Sequence, residues 1–267
     1  MVGAISRPVR IAAWIFVLAT GLFLLAPLVV VIGVSVSESQ FISFPPDGLS
    51  LRWYKEVLSS DSYLGAAWIS FRVALLVTLT STLCGGAAAI AINRRVLPGS
   101  GALATFFLSP LVLPTIIYAI GMLMLWSAIF GPVTIVTIWI GHTVITIPYV
   151  VRTTLAVLSE SDPFLEEAAQ TMGAGRVQRL WLVVVPQCLP GLAAGAFFAF
   201  NISFDEAVVS LFLRKPGLTT LPVQIYGQLE FSPDPSVAAV STIMIALTVG
   251  LILIIDRMLG VQRFASS

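Results

Sequence analysis

The chain has 267 residues, 58% of them hydrophobic and 10% charged, with a formal net charge of +1 and a mean hydropathy of +1.00. Soluble domains carry roughly 25% charged residues, so this composition excludes a water-soluble globular protein, and the near-neutral charge excludes a nucleic-acid footprint. A membrane span takes about 20 mainly apolar residues to cross about 30 Å of hydrocarbon; the apolar runs fit six such helices and leave no room for a sizeable soluble domain.

The expected fold is an all-α membrane protein, a single domain over 1–267, with spans at 11–36, 66–92, 102–126, 132–157, 189–213 and 236–256. Arg7 and Arg10 precede the first run, which exceeds a signal-peptide core and shows no small-residue cleavage site, so it reads as an uncleaved span. Residues 37–65 follow, with a turn at Pro45-Pro46-Asp47-Gly48 and then a short interfacial helix with aromatic anchors over 51–58. Cys84 and Cys188 have no metal-ligand spacing and read as buried thiols acting as small hydrophobes. Pro110, Pro114 and Pro148 fall inside spans, where they either kink helices around a pathway or shape packing. Trp126, Trp139 and Tyr149 mark span ends. His142 is the only histidine, and hydrogen bonding within the bundle suits it better than metal ligation.

Between the fourth and fifth spans, residues 158–188 form a patterned polar loop. Asp162 is placed to cap a helix, Pro163 suits its first position, and Glu166 and Glu167 favour the positive end of its dipole. Gly173 then permits a left-handed cap, and Val177, Leu180 and Trp181 recur at helical spacing in a second short helix leading to Pro186. Such a knob suits docking on a protein, with Phe164, Leu165, Ala168 and Met172 as apolar contacts. An interfacial helix pair on the inner leaflet is the other reading, though such helices usually carry Lys or Arg and this first one has none. Gly191 and Gly195 open the fifth span with a GxxxG pattern that lets two backbones approach.

Further along that span stand Asn201, Ser203, Asp205 and Glu206. Carboxylates in a span are expensive and are functional candidates by default, so Asp205 and Glu206, with Asn201 and Ser203 behind them, are candidate pathway residues. A polar helix break with Asp205 capping the following segment is the structural alternative. On the outer side, 214–235 includes a short helix over 221–227 near the headgroups, and Pro235 suits the start of the last span. With the N-terminus inside, the inner side collects Arg7, Arg10, Arg94, Arg95, Arg152, Arg176, Arg179, Arg257 and Arg263. The outer side has Arg52, Lys55, Arg214 and Lys215, with Arg72 at the outer end of the second span. This asymmetry places both termini in the cytoplasm.

The run Glu167-Ala168-Ala169, then Gly173, then Val183-Val184-Val185-Pro186 resembles the EAA signature of binding-protein-dependent ABC importer permeases, with Val183 and Val185 in place of the usual Ile and Leu. The stretches from His142 to Arg152, from Asn201 to Ser210 and from Leu221 to Tyr226 resemble the spermidine/putrescine subgroup. The resemblance implies a type I importer permease (MetI-like) fold in a bacterial inner membrane. It implies that Glu166, Glu167, Ala168, Ala169, Gly173 and Pro186 form a coupling element seated on a cytoplasmic ATPase. The implied partners are two ATPase subunits, a second permease chain of paralogous type, an extracytoplasmic solute-binding protein docked on the outer segments, and the lipid bilayer. No cofactor is expected on this chain, with ATP and Mg²⁺ on the ATPase. The only lysines, Lys55 and Lys215, follow no Gly-rich phosphate loop. Polyamines are the expected cargo. The same machine carrying ferric iron, an opine or an amino-acid-like solute is an alternative, as is an autonomous transporter or channel. An intramembrane enzyme lacks its HExxH or GxSxG motif.

Overall fold

In the computed structural model, residues 7–94, 99–162 and 164–259 are described, which leaves Arg95, Pro163 and Arg263 outside the described residues. The described chain is helical, with no strand beyond two isolated bridges, Ser37 with Leu49 and Lys215 with Leu218. Among the described residues, five helices are long and apolar enough to cross a membrane, or six if a bent pair counts as one span. The chain divides into two compact units, 1–61 with 227–247, and 62–226 with 248–267.

In the first unit, α1 (Arg7–Ser35) is apolar all round and almost wholly exposed along its length, as a helix solvated by lipid is. After it, Glu38 N–H donates to Gly48 O at 3.2 Å and Ser50 N–H to Val36 O at 2.7 Å, joining the two ends of the loop that carries 45–48. Then comes α2 (Arg52–Ser59). Here the interfacial-anchor expectation is corrected for Trp53, which is buried. Its indole N–H donates to Ser37 O at 3.0 Å, and the Arg52 guanidinium lies 4.2 Å from its ring centroid. A loop carbonyl and a stacked cation satisfy the ring better than an exposed position does.

The second unit holds α3 (Asp61–Asn93), α4 (Ser100–Leu108), α5 (Thr115–Ile129), α6 (Ile135–Glu160), α7 (Phe164–Thr171), α8 (Arg176–Arg179), α9 (Val185–Asp205) and α10 (Val208–Phe212). The expected span 102–126 is not one straight helix. After α4 a single 3₁₀ turn (Ser109–Leu111) ends the run, and α5 departs at 98°. Pro110 and Pro114 each lack an N–H, and Pro114 begins α5 rather than continuing α4. Pro148, by contrast, is accommodated inside α6.

The expected span 189–213 also differs. Helix begins at Arg176, passes through a π turn (Leu180–Val184) just before Pro186, and ends at Asp205. The missing N–H of Pro186 leaves a carbonyl in the preceding turn without its usual partner, and the widened turn sits there. Two further helices, α11 (Leu221–Phe231) and α12 (Ser236–Leu259), complete the chain. The residues at the start of α11 are buried, and Leu221 N–H donates to Ser70 Oγ of α3 at 2.8 Å, so that end packs on protein rather than resting at the headgroups.

The centre of this unit is the crossing of α6 and α9. A Cβ added at Gly191 would stand 2.8 Å from Thr153 O and from Thr154 Cα, and one at Gly195 would stand 2.8 Å from Val150 Cα and Thr153 Oγ1. Both glycines are therefore required for close approach, as the GxxxG spacing predicts. Cys188 is fully buried beside Leu158 and Val184, whereas Cys84, expected to be buried, is exposed. Its neighbours Gly85 and Gly86 take the packed face of α3, against Val150 and Leu192, leaving Cys84 on the other side.

Candidate functional site

Two regions of the second unit gather the candidate residues. The first is the segment between α6 and α8. Asp162 Oδ1 accepts from Phe164 N–H at 2.9 Å, capping α7. At its other end Gly173 adopts φ +88°. Its N–H donates to Gln170 O at 2.9 Å, and Ala174 N–H donates to Ala169 O at 3.0 Å. This double closure is the Schellman motif, which needs a left-handed residue at the position Gly173 occupies. Gln170 Oε1 also accepts from Arg179 Nη1, and Gln178 Oε1 accepts from Gly175 N–H at 3.0 Å, so α7 and α8 are braced against each other.

On α7, Ala169 is buried and turned toward the bundle. Phe164, Glu167, Ala168 and Thr171, at spacings of three and four, are exposed on one outward face. Met172, 82% exposed, extends the apolar part of that face, which the single chain leaves without cover. Glu166 does not join it. Its carboxylate lies 2.5 Å from Arg94 Nη2, at the end of α3. Pro186 lies within the continuous helix rather than on the knob. Sequence reasoning assigned Arg94 only to the charge count; its partner is remote in sequence and no local pattern signals it.

The second region surrounds the break between α9 and α10. Glu206 Oε1 accepts from Val208 N–H at 2.9 Å and Val209 N–H at 3.0 Å. Glu206, not Asp205, caps the following helix, because a residue two positions before the first helical N–H has the reach to bridge both donors. Glu206 also borders a recess of about 110 Å³ together with Tyr118, Tyr149, Thr115, Pro110 and Leu113. The 98° bend brings the proline-rich stretch to the same recess as α6 and α9. Asp205 is exposed.

The other two candidates are engaged within the protein. Asn201 Oδ1 accepts from the Thr248 hydroxyl at 3.1 Å. Ser203 is buried, its Oγ 3.0 Å from His142 Nδ1, while His142 Nε2 is 3.1 Å from Ser210 Oγ. An imidazole needs one partner at each nitrogen, and α9 and α10 each supply one, so His142 fastens both sides of the break to α6. Beside it, Thr146 Oγ1 donates to His142 O at 2.8 Å and lies 2.7 Å from Ser81 Oγ, and Tyr118 donates to Gly141 O at 2.9 Å. A hydroxyl ladder thus runs from α3 through α6.

Residues 81–263 match the family described as "Binding-protein-dependent transport system inner membrane component". The putrescine transport system permease protein PotI of Escherichia coli K12 is 29% identical over 249 residues, covering 90% of this chain and 88% of PotI. The spermidine/putrescine transport system permease protein PotC of the same strain is 28% identical, covering 89% and 90%. Among solved structures, a chain of the bacterial alginate ABC transporter, in complex with an alginate pentasaccharide-bound periplasmic protein, superposes with a TM-score of 0.73 at 15% identity, covering 94% of each chain. A chain of the MetNI methionine ABC transporter in an inward-facing conformation gives 0.59 at 20%, covering 73% of this chain and 94% of that one. These likenesses show the fold. The chain belongs to the family of binding-protein-dependent transport system inner membrane components, with the MetI-like fold: it is a multi-pass membrane protein and the permease component of an ABC importer.

Proposed function

We propose that this permease forms half of a translocation pathway for polyamines or closely related organic amines, and that a separate ATPase drives it through α7. One observation carries the cargo assignment: Glu206, Tyr118 and Tyr149 border one recess. A carboxylate with aromatic faces suits an ammonium group, which gains from charge pairing and from the ring quadrupoles. The names of PotI and PotC, as putrescine and spermidine/putrescine permeases, support the same class. A wider class of aminoalkyl solutes is the second reading. It is favoured by a relative of 26% identity named as a putative 2-aminoethylphosphonate permease, from Salmonella typhimurium.

In this reading the outward face of α7 seats on the ATPase, with Glu167 and Ala168 at the contact and Gly173 setting the turn. Both termini face the cytoplasm of a bacterium, across its inner membrane. The chain itself is non-catalytic and holds no cofactor; ATP and Mg²⁺ bind the two ATPase subunits. A paralogous permease supplies the other half of the pathway, and an extracytoplasmic binding protein delivers the solute to the outer segments around 37–65 and 214–235.

The test is uptake of radiolabelled putrescine and spermidine into cells expressing the whole importer, with wild type or with Glu167→Ala plus Gly173→Asp. Loss of uptake with the permease still in the membrane is the expected result. Uptake indifferent to both changes refutes the coupling reading. Absence of uptake in wild type refutes the cargo reading.

A further inference from the structure

The α7 helix has eight residues, far short of what holds a helix together alone in water. Its covalent joints on both sides are non-helical: Ser161 is extended, with φ −74° and ψ 145°, and Gly173 is left-handed. Neither joint transmits a helix axis, so the angle of α7 is set by side-chain contacts. Ala169 supplies one, facing the bundle. Gln170 supplies another, accepting from Arg179 of α8, and a third is ionic and comes from α3.

Arg94 directly follows α3, its N–H donating to Ile90 O at 3.1 Å, so it stands on the last turn of that helix. Seen from Arg94, the preceding glycines fasten α3 to its neighbours. A Cβ at Gly85 would meet Val150 Cβ at 2.8 Å, and one at Gly86 would meet Leu192 Cδ2 at 2.6 Å, so α3 lies in close contact with α6 and α9. Beyond those contacts the helices part around a cavity of about 390 Å³ with a mixed lining, in which Asn93, Arg94, Asp162 and Glu166 stand beside Leu158 and Val184. At its edge the Arg94 guanidinium meets the Glu166 carboxylate at 2.5 Å, with 26% and 30% of the two side chains exposed. The pair is partly exposed and acts through charge attraction that water screens in part.

We propose that Arg94 is a positioning residue for the coupling helix: its ion pair with Glu166 fixes the angle at which α7 is presented and makes α3 move with α6 and α9 when α7 is displaced. The proposal rests on the reading of α7 as the ATPase contact. It divides the two adjacent glutamates by task, Glu167 facing the partner and Glu166 facing inward to its own bundle.

The experiment has two arms. In the first, the full permease in nanodiscs, without ATPase, is followed by amide hydrogen exchange over 166–174. Arg94→Gln and Glu166→Gln each raise exchange there by about fivefold, the ceiling for a partly exposed ion pair. In the second, the complete importer in liposomes is assayed for ATP hydrolysed per molecule of putrescine taken up. That ratio rises by a similar factor in both variants, while Arg94→Lys lies between them and wild type. Arg94→Glu combined with Glu166→Arg restores both readouts, which a merely structural role for either side chain does not predict.

Exchange unchanged by both Gln variants overturns the proposal, as does a reversed pair no better than Arg94→Glu alone. Exchange altered as expected with an unchanged ATP ratio overturns the coupling role. Wild-type uptake that persists without the ATPase overturns the coupling reading itself, and the exchange arm distinguishes that failure because it needs no ATPase.

Discussion

Gly195→Ala tests the helix crossing at the centre of the second unit with one methyl group. The added carbon would stand 2.8 Å from Val150 Cα and from Thr153 Oγ1, against the 3.4 Å at which ordinary contact begins. One of those neighbours is backbone, so no rotamer change relieves it, and α6 and α9 must separate by about 0.6 Å. A gap of that size forfeits about a quarter to a half of the dispersion attraction at each affected contact, and overpacking of this kind costs about 1–3 kcal/mol. Alanine gains back up to about 1 kcal/mol of helix propensity. The net expectation is a loss of about 0–2 kcal/mol, or a fall of up to about 8 °C in the unfolding midpoint. The native reporter is Cys188, fully buried on α9, once the exposed Cys84 has been replaced by serine. A thiol-reactive fluorophore then reads opening of the bundle during a thermal ramp in detergent. Gly121→Ala in α5 has nothing within 4 Å of the new carbon and serves as control, with a midpoint equal to or above wild type. If Gly195→Ala melts with or above Gly121→Ala, the close-approach reasoning is wrong.

His142→Ala strands the Ser203 and Ser210 hydroxyls in the interior, for an expected loss of about 2–4 kcal/mol. Adding Ser203→Ala and Ser210→Ala should recover part of it, since removing both partners is cheaper than removing one; the same thermal assay reads both. Glu206→Gln keeps an oxygen to accept from Val208 and Val209 but removes the charge, whereas Glu206→Ala removes both. Gln should leave the melting midpoint unchanged while Ala lowers stability by about 0.5–2 kcal/mol. Both should raise the KM for putrescine by about tenfold, the size of a lost charge-assisted hydrogen bond. A Glu206→Gln importer with wild-type KM removes Glu206 from the solute's route.

Local signals in the sequence reached far. Apolar runs located the helices because a span must satisfy its own backbone, and Gly191 with Gly195 announced the tight crossing. Asp162 and Gly173 bounded α7 because caps are local chemistry. What escaped depended on contacts across helices. Pro110 and Pro114 flagged distortion, but a near-right-angle turn depends on what receives α5 on the far side. Asp205 and Glu206 were equivalent as adjacent carboxylates until the helix break chose between them by reach. Arg94 directly follows α3 and Glu166 lies on α7, and nothing near either one names the other. Trp53 had the composition of an interfacial anchor and became a buried donor because a carbonyl at Ser37 was available.

The continuity of helix from Arg176 to Asp205 has a mechanical consequence. Thirty residues without a break make a rod about 45 Å long at 1.5 Å per residue. One end abuts α7, and the other stops beside Glu206. Gly191 and Gly195 clamp it to α6 near its middle, so a tilt of about 10° about that clamp sweeps the Glu206 end through about 3 Å. The π turn at Leu180–Val184 lies on the arm between α7 and that clamp, a type of local departure from the α ladder at which helices kink. The arm toward α7 is about 25 Å and the arm toward Glu206 about 18 Å, so in a rigid tilt a displacement at the knob would reach the recess reversed in direction and cut to about 0.7 of its size, a ratio fixed by where the glycines place the clamp.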